Sequence, residues 1–275
     1  MCLCVCLCTS ISNKLKAQNI ADSLFNLNLY VDAAIEYEKA YFYNKLEVER
    51  VHIIFKKAKC EKLSLRYSAE IKTLNRINIS KCTDSVVCFA YYELAFANYM
   101  INNYAKANDL LERAHSLPIN NQQYNACIFL HGLVLNELNE YEFAKTKFKE
   151  YFRNRFNAKQ LFTVIDSLYA DENIPKLKSI KRARRLSLFL PGAGLFYAKK
   201  PSKAIVNVSL LLAATVYTAY NVSITNYVTA ITSGLYFMKY FYIGGVNQLY
   251  TEIPSYNNKI SQRFNNSVKQ VLIDF

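Results

Sequence analysis

The amino-acid sequence predicts an all-α protein. Three observations carry that prediction: apolar residues recur three and four apart over long stretches, strand-like alternation is hard to find, and helix breakers are sparse, with 6 Gly and 5 Pro in 275 residues. A hydrophobic share of 52% with 14% aromatics is ample for a core.

The chain opens on a short apolar stretch, "CLCVCLCTSI", of the length of a signal-peptide core, and "LKAQ" after it offers Ala17 as a cleavage residue. Residues 1–17 resemble a bacterial export signal; the alternative is an uncleaved terminus. Four of the eight cysteines fall in this stretch, leaving Cys60, Cys82, Cys88 and Cys127 in the body. They form no CxxC pair and no zinc spacing, so they are expected as small core residues, with no metal site.

Residues 18–153 carry four copies of one unit. Ala21, Ala58, Ala95 and Gly132 recur every 37 residues, and Tyr30, Tyr67, Tyr104 and Tyr141 keep the same interval nine residues later. Ala33, Glu70, Ala107 and Ala144 form a third column, in which Glu70 departs from the small residues and makes the second copy the weakest. Tyr37, Leu74, Leu111 and Phe148 form a fourth, and Ala40, Ile77, Ala114 and Tyr151 a looser fifth. The pattern describes a helical hairpin. A small residue lets two helices cross closely, the Tyr opens the second helix beside the turn, and the next small residue packs back on the first.

These columns resemble the tetratricopeptide (TPR) repeat, lengthened by about three residues from its usual period of about 34. The resemblance implies a right-handed solenoid whose concave face is lined by first helices and takes an extended peptide or a partner helix. By register the groove residues are His52, Phe55, Lys59 and Lys62 in the second copy, with Tyr92, Phe96, Tyr99 and Phe129 from the next two. Rings with cations in one trough suit a peptide bearing apolar and acidic side chains. The alternative is that these rings fill space between helices. Residues 154–172 read as a capping helix.

The formal charge of +13 is concentrated beyond that point. No Asp or Glu lies between Asn173 and Thr251, whereas ten Lys and Arg do, nine of them flanking one apolar run, "LSLFLPGAGLFYA". That placement argues for a membrane surface and against nucleic acid. Lys181, Arg182, Arg184, Arg185, Lys199 and Lys200 are the expected surface charges, the first four within a basic hinge at 173–185. Three apolar stretches follow inside 186–250. Leu186–Ala198 is 13 residues, too short to cross a hydrocarbon core of about 30 Å. Ala204–Tyr220 is borderline at 17, and Tyr227–Val246 reaches 20. A membrane hairpin preceded by a short interfacial or re-entrant piece fits these lengths. Pro191 removes an amide hydrogen and Gly192 and Gly194 permit positive φ, so the short run is expected to bend between its cationic ends, covered by Ser187, Tyr197 and the helices after it. Lys239 lies inside the last stretch, where snorkelling is preferred to a functional role. Residues 251–275 read as an amphipathic tail.

Leu190, Pro191, Gly192, Gly194 and Tyr197, with Phe241, Tyr242, Gly244 and Gly245 and then Tyr256 and Asn257, resemble a bacterial membrane-hairpin domain with a Leu-Pro-Gly-x-Gly-x-x-Tyr motif. That family often carries TPR-like repeats ahead of its hairpin, and the resemblance assigns it no activity.

Dinucleotide and phosphate loops, metalloprotease motifs and nucleophile motifs are all absent, so no catalysis, cofactor or metal is expected. The leading expectation is a TPR-like scaffold anchored in a bacterial inner membrane that recruits a protein or peptide. A cytoplasmic-facing regulator of the same fold, or a subunit of a membrane enzyme or transporter, are the alternatives. The basic flanks put residues 176–185 and 199–203 in the cytoplasm and the export-like start puts the repeats outside; the expectation leans to the periplasmic side.

Overall fold

The structure, a computed structural model, describes residues 16–118, 122–153 and 158–273. The export-like segment, apart from its last two residues, lies outside them. The described residues form helices, turns and short irregular connections, with no strand among them. The chain divides into two compact units between Tyr169 and Ala170.

In the first unit, α1 (16–26), α2 (Tyr30–Tyr43), α3 (Glu47–Leu63), α4 (Tyr67–Leu74), α5 (Asp84–Met100), α6 (Tyr104–His115), α7 (Gln122–Glu137) and α8 (Tyr141–Phe152) form four successive pairs, followed by α9 (Ala158–Leu168). Each of the four column tyrosines is the first residue of the second helix of its pair. Ala33, Glu70, Ala107 and Ala144 are each 0% exposed, and so define the line along which second helices meet first helices. In the last pair the small residue is Gly132, where a Cβ would come within 2.7 Å of the Phe148 ring. Nothing larger fits without moving that ring.

A further column emerges at the turns. Asn28, Leu65, Asn102 and Asn139, again 37 apart, take left-handed backbone with φ of 61°, 58°, 61° and 64°. Three of these are asparagine, the side chain that best tolerates this conformation after glycine. Each Asn side-chain oxygen accepts a hydrogen bond from the tyrosine two residues on: Tyr30 to Asn28 at 2.6 Å, Tyr104 to Asn102 at 2.7 Å and Tyr141 to Asn139 at 2.8 Å. The tyrosine thus fixes the turn before it as well as opening the helix after it.

The second pair is irregular. Its α4 has 8 residues where the other second helices have 12 or 14, and a 3₁₀ turn, Ile79–Lys81, follows before α5. The last pair is closed by α9, whose Ile165 is buried and whose Asp166 receives Lys145 at 3.0 Å and Lys149 at 2.6 Å from α8. Just beyond α9, buried Tyr169 donates to Asn136 of α7 at 2.8 Å. Cys60, Cys88 and Cys127 are buried and Cys82 is half-buried.

In the second unit, α10 (Ile180–Phe189) stops at Leu190 and α11 (Ala193–Tyr197) begins after a turn at Gly192, whose φ is 84°. α12 (Pro201–Ser223) leads through a tight turn to α13 (Tyr227–Thr229), a π-helical turn at Ala230–Gly234, and α14 (Leu235–Ile273). Ala183, Leu195, Ala198, Ala204, Leu249 and Ile253 form the core where α10, α11, α12 and α14 meet.

Two lengths differ from expectation. α12 exceeds the stretch of 17, running 23 residues, and among the described helices it is the one long and apolar enough to cross a membrane. The stretch expected to be the surer span, Tyr227–Val246, is interrupted by the π-helical turn and then merges into a helix of 39 residues. Its tyrosines, Lys239 and the polar residues after Val246 dilute its apolar character. The tail beyond residue 250 is not a separate element. Pro254 sits inside α14, where it removes one backbone hydrogen bond without ending the helix.

Candidate interaction surfaces

On the first unit, α3 and α5 border a groove of about 460 Å³. His52, Phe55, Lys59 and Lys62, four residues proposed from register, all line it, together with Phe89 and Glu93. Its floor is aromatic, with the Phe55 and Phe89 rings 4.9 Å apart. Lys62 pairs with Glu93 at 2.8 Å and lies over Phe96 at 4.2 Å and Tyr92 at 5.9 Å, so those two rings adjoin the groove through Lys62. Tyr99 turns instead toward Tyr104, at 5.6 Å, and Phe129 packs against Phe148 and Tyr151 at 5.8 and 4.9 Å. The last two therefore fill space between helices. Phe89 and Glu93 escaped the sequence reading, although Phe89 stands three and seven residues before Tyr92 and Phe96, on the same helical face.

The cations around the groove are unequally committed. Lys56 pairs with Asp22 at 2.7 Å and Lys57 with Glu38 at 2.6 Å, whereas Lys59 faces the Phe25 ring at 5.2 Å and has no carboxylate partner among the described residues. Behind the groove, Glu70 occupies the alanine position of the third column, fully buried and beside the Glu93 carboxylate. Burial first, then the Glu93 carboxylate, push its pKa up to about 8, so it is protonated at neutral pH.

In the second unit the bend is built as a closed turn. Of the two glycines at the bend, Gly192 takes positive φ and Gly194 does not, and a Cβ on Gly192 would also strike Val208 at 2.6 Å. Gly194 serves close approach instead: a Cβ would lie 2.4 Å from the Ser187 hydroxyl and 2.5 Å from the Ala183 carbonyl. Its N–H donates to Ser187 Oγ at 3.0 Å, so the buried serine satisfies the backbone where the helix breaks. Half-buried Pro191 precedes this turn.

Tyr197, Tyr256 and Asn257, distant in sequence, converge on Lys178. Asn257 accepts from the Lys178 N–H at 2.8 Å and donates to the Lys178 carbonyl at 2.9 Å. The Lys178 ammonium donates to the Tyr197 carbonyl and lies 4.2 Å from the centre of the Tyr256 ring. The strand of chain entering α10 is thereby tied to both α11 and α14.

The basic residues differ in their partners, and Lys199 is exposed. Lys200 and Lys203 both bind Glu252, the first carboxylate after the acid-free stretch, Lys200 at 3.0 Å. The two ammonium groups, Lys203 foremost, hold its carboxyl below the usual carboxylate range. Arg182 lies 5.7 Å from the Tyr197 ring. Lys181, Arg184 and Arg185 are exposed and form no ion pair among the described residues.

The helix α12 is inverted relative to a helix of a water-soluble protein. Its buried positions, Ala204, Asn207, Ala214 and Asn221, are small or polar and face the π-helical turn and α14. Its exposed positions are Ile205, Val206, Leu210, Leu212, Val216 and Tyr220 among others, and just 17% of its most apolar stretch is buried. Where α12 crosses α14, Asn207 donates to the Phe241 carbonyl at 2.9 Å, and a Cβ on Gly245 would meet the Asn207 amide at 2.5 Å. Thr218 similarly sits against Gly234, 2.3 Å from where a Cβ would be. Exposed Lys239 borders a groove of about 760 Å³ with Ser202, Lys203, Asn207 and Tyr240; Pro191 and Gly192 do not line it, so the bend and this lysine do not share one site.

No family model, curated protein or solved structure matches the chain. The all-helical architecture and these surfaces therefore carry the functional argument by themselves.

Proposed function

We propose that this protein is a membrane-anchored helical-repeat scaffold, with its first unit presenting a TPR-like groove to a protein or peptide partner and its second held in the bilayer as a hairpin. The observation that carries the reading is the inverted α12, with small and polar residues inside and branched apolar residues outside. Lipid is the solvent in which that arrangement is stable, since small residues allow close helix approach while apolar side chains face hydrocarbon. In this reading the π-helical turn and the first part of α14 return across the bilayer, α10 and α11 stay at one interface, and Lys239 snorkels. A bacterial inner membrane with the repeats on the periplasmic side remains the assignment the export-like start favours. The scaffold acts by positioning its partner, without catalysis.

The partner side rests on the α3–α5 groove. Two phenyl rings form an apolar floor, and Lys59 and Lys62 stand at its edge. An acidic segment with one aromatic or branched apolar anchor matches that lining. The test is in-cell photocrosslinking from position 59, with captured proteins identified by mass spectrometry. A discrete partner whose capture is lost with Phe55→Ala is the expected result. Capture that is equal from position 59 and from exposed Lys72 on α4 would overturn the groove assignment.

A further inference from the structure

The three uncommitted cations of α10 share one helical face. Lys181, Arg184, Arg185 and Leu188 stand at i, i+3, i+4 and i+7, and all four border a groove of about 850 Å³ against α14. The opposing wall is Tyr242, Ile243, Val246 and Tyr250, which repeat at the same helical spacing. Among the described residues no carboxylate lines the groove. The α10 wall is thus cationic up to Leu188 and the α14 wall largely apolar, and Phe189, next to Leu188, is exposed. Three other cations near the bend are engaged within the unit: Lys178 is held by Tyr197 and Tyr256, and Lys200 and Lys203 share Glu252.

We infer that this α10–α14 groove is a binding site for an anionic phospholipid of the surrounding bilayer. The phosphodiester is placed among Lys181, Arg184 and Arg185, where Arg offers paired donors to phosphate oxygens. An acyl chain lies along Leu188, Ile243 and Val246, and Tyr250, on the side of α14 toward the Lys178–Asn257 contact, sits where tyrosine is favoured, between headgroup and hydrocarbon. An acidic peptide would satisfy the cations but leave the apolar wall without a match, and an inorganic anion would leave it empty. A lipid answers to both walls. The inference rests on the membrane reading of the second unit and adds a specific occupant to it.

The test uses the full chain in detergent, titrated with phosphatidylglycerol or phosphatidylcholine, with bound lipid counted by native mass spectrometry. Phosphatidylglycerol is expected to bind preferentially, and R184Q/R185Q to weaken it by about fivefold per cation removed. Val246→Trp, which fills the groove and leaves every charge in place, is expected to weaken it as well. K176Q/K199Q removes two charges outside the groove and is expected to have no effect. Equal binding of the two lipids, equal loss in K176Q/K199Q, or displacement by millimolar inorganic phosphate would each overturn the inference. Circular dichroism of each variant separates lost binding from lost fold. Should the chain be monodisperse without detergent, the membrane reading itself fails, a result distinct from an inserted chain that binds both lipids alike.

Discussion

Leu65 takes the left-handed turn conformation, with φ of 58°, at the position where the other three units have asparagine. A γ-branched side chain gains nothing there and bears the steric penalty of that region, roughly 1–2 kcal/mol. Leu65→Asn is expected to stabilise the protein by about 1 kcal/mol, through relief of that strain and a new acceptor for Tyr67, read as a higher thermal midpoint. Glu70, five residues on, is the other misfit of the second unit. The unfolded chain ionises this carboxyl above about 4.5, whereas the folded chain keeps the proton until about 8. The folded state therefore binds more protons in that window, and stability falls as pH rises through it, by at most about 1.4 kcal/mol per pH unit. Glu61 and Glu93 reinforce the shift and Lys62 opposes it. The stacked pair His115 and His131 acts in the opposite sense lower down: burial depresses their pKa values from 6.5 to about 4 and about 3, so stability rises with pH as far as 6.5. Above pH 6.5 both imidazoles are neutral folded or unfolded, and the decline toward pH 8 belongs to Glu70. Glu70→Gln is expected to flatten it in thermal melts between those values; an unchanged slope would show that Glu70 is ionised in the fold.

At the scale of the element, the periodic columns already located the helix pairs, because a tyrosine that starts a helix and an alanine that lets two helices meet have fixed spacing in the chain. The asparagine column was equally visible two residues before three of the tyrosines, but its meaning depends on a left-handed backbone that periodicity does not display. The groove was half legible. His52, Phe55, Lys59 and Lys62, grouped by register, share one lining, yet Tyr99 and Phe129 turn to neighbouring rings, since register alone cannot say which ring has a closer partner. In the second unit, run length marked 204–220 and 227–246, whereas the helices run Pro201–Ser223 and, after a π-helical turn, Leu235–Ile273, bounds that apolar run length does not display. Asn207 lies inside an apolar stretch, and its role as the polar contact at a close α12–α14 crossing depends on which face is buried. Gly245→Val puts a branched side chain where a single Cβ already meets Asn207 at 2.5 Å. It is expected to destabilise the second unit by about 1–3 kcal/mol in detergent thermal melts, and more than Gly244→Val, whose Cβ would meet nothing within 4 Å.

For the whole molecule, the inverted α12 predicts a physical behaviour independent of any partner. The full chain is expected to sediment with membranes, to resist alkaline extraction and to require detergent for monodispersity. Replacing exposed Leu212 and Val216 by Glu is expected to release it into the soluble fraction or abolish its accumulation. The other whole-chain feature is α14. Its 39 residues make a rod of roughly 58 Å, about twice the hydrocarbon thickness, and nothing divides the greasy part from the wet part. Such a rod is a lever. In the proposed membrane arrangement, a change in bilayer thickness or in the occupant beside α10 that leans the first half of α14 swings its far tip through an arc, and Pro254, which lacks the hydrogen that would fasten it to the carbonyl of Tyr250, is the joint at which that swing is damped or passed on.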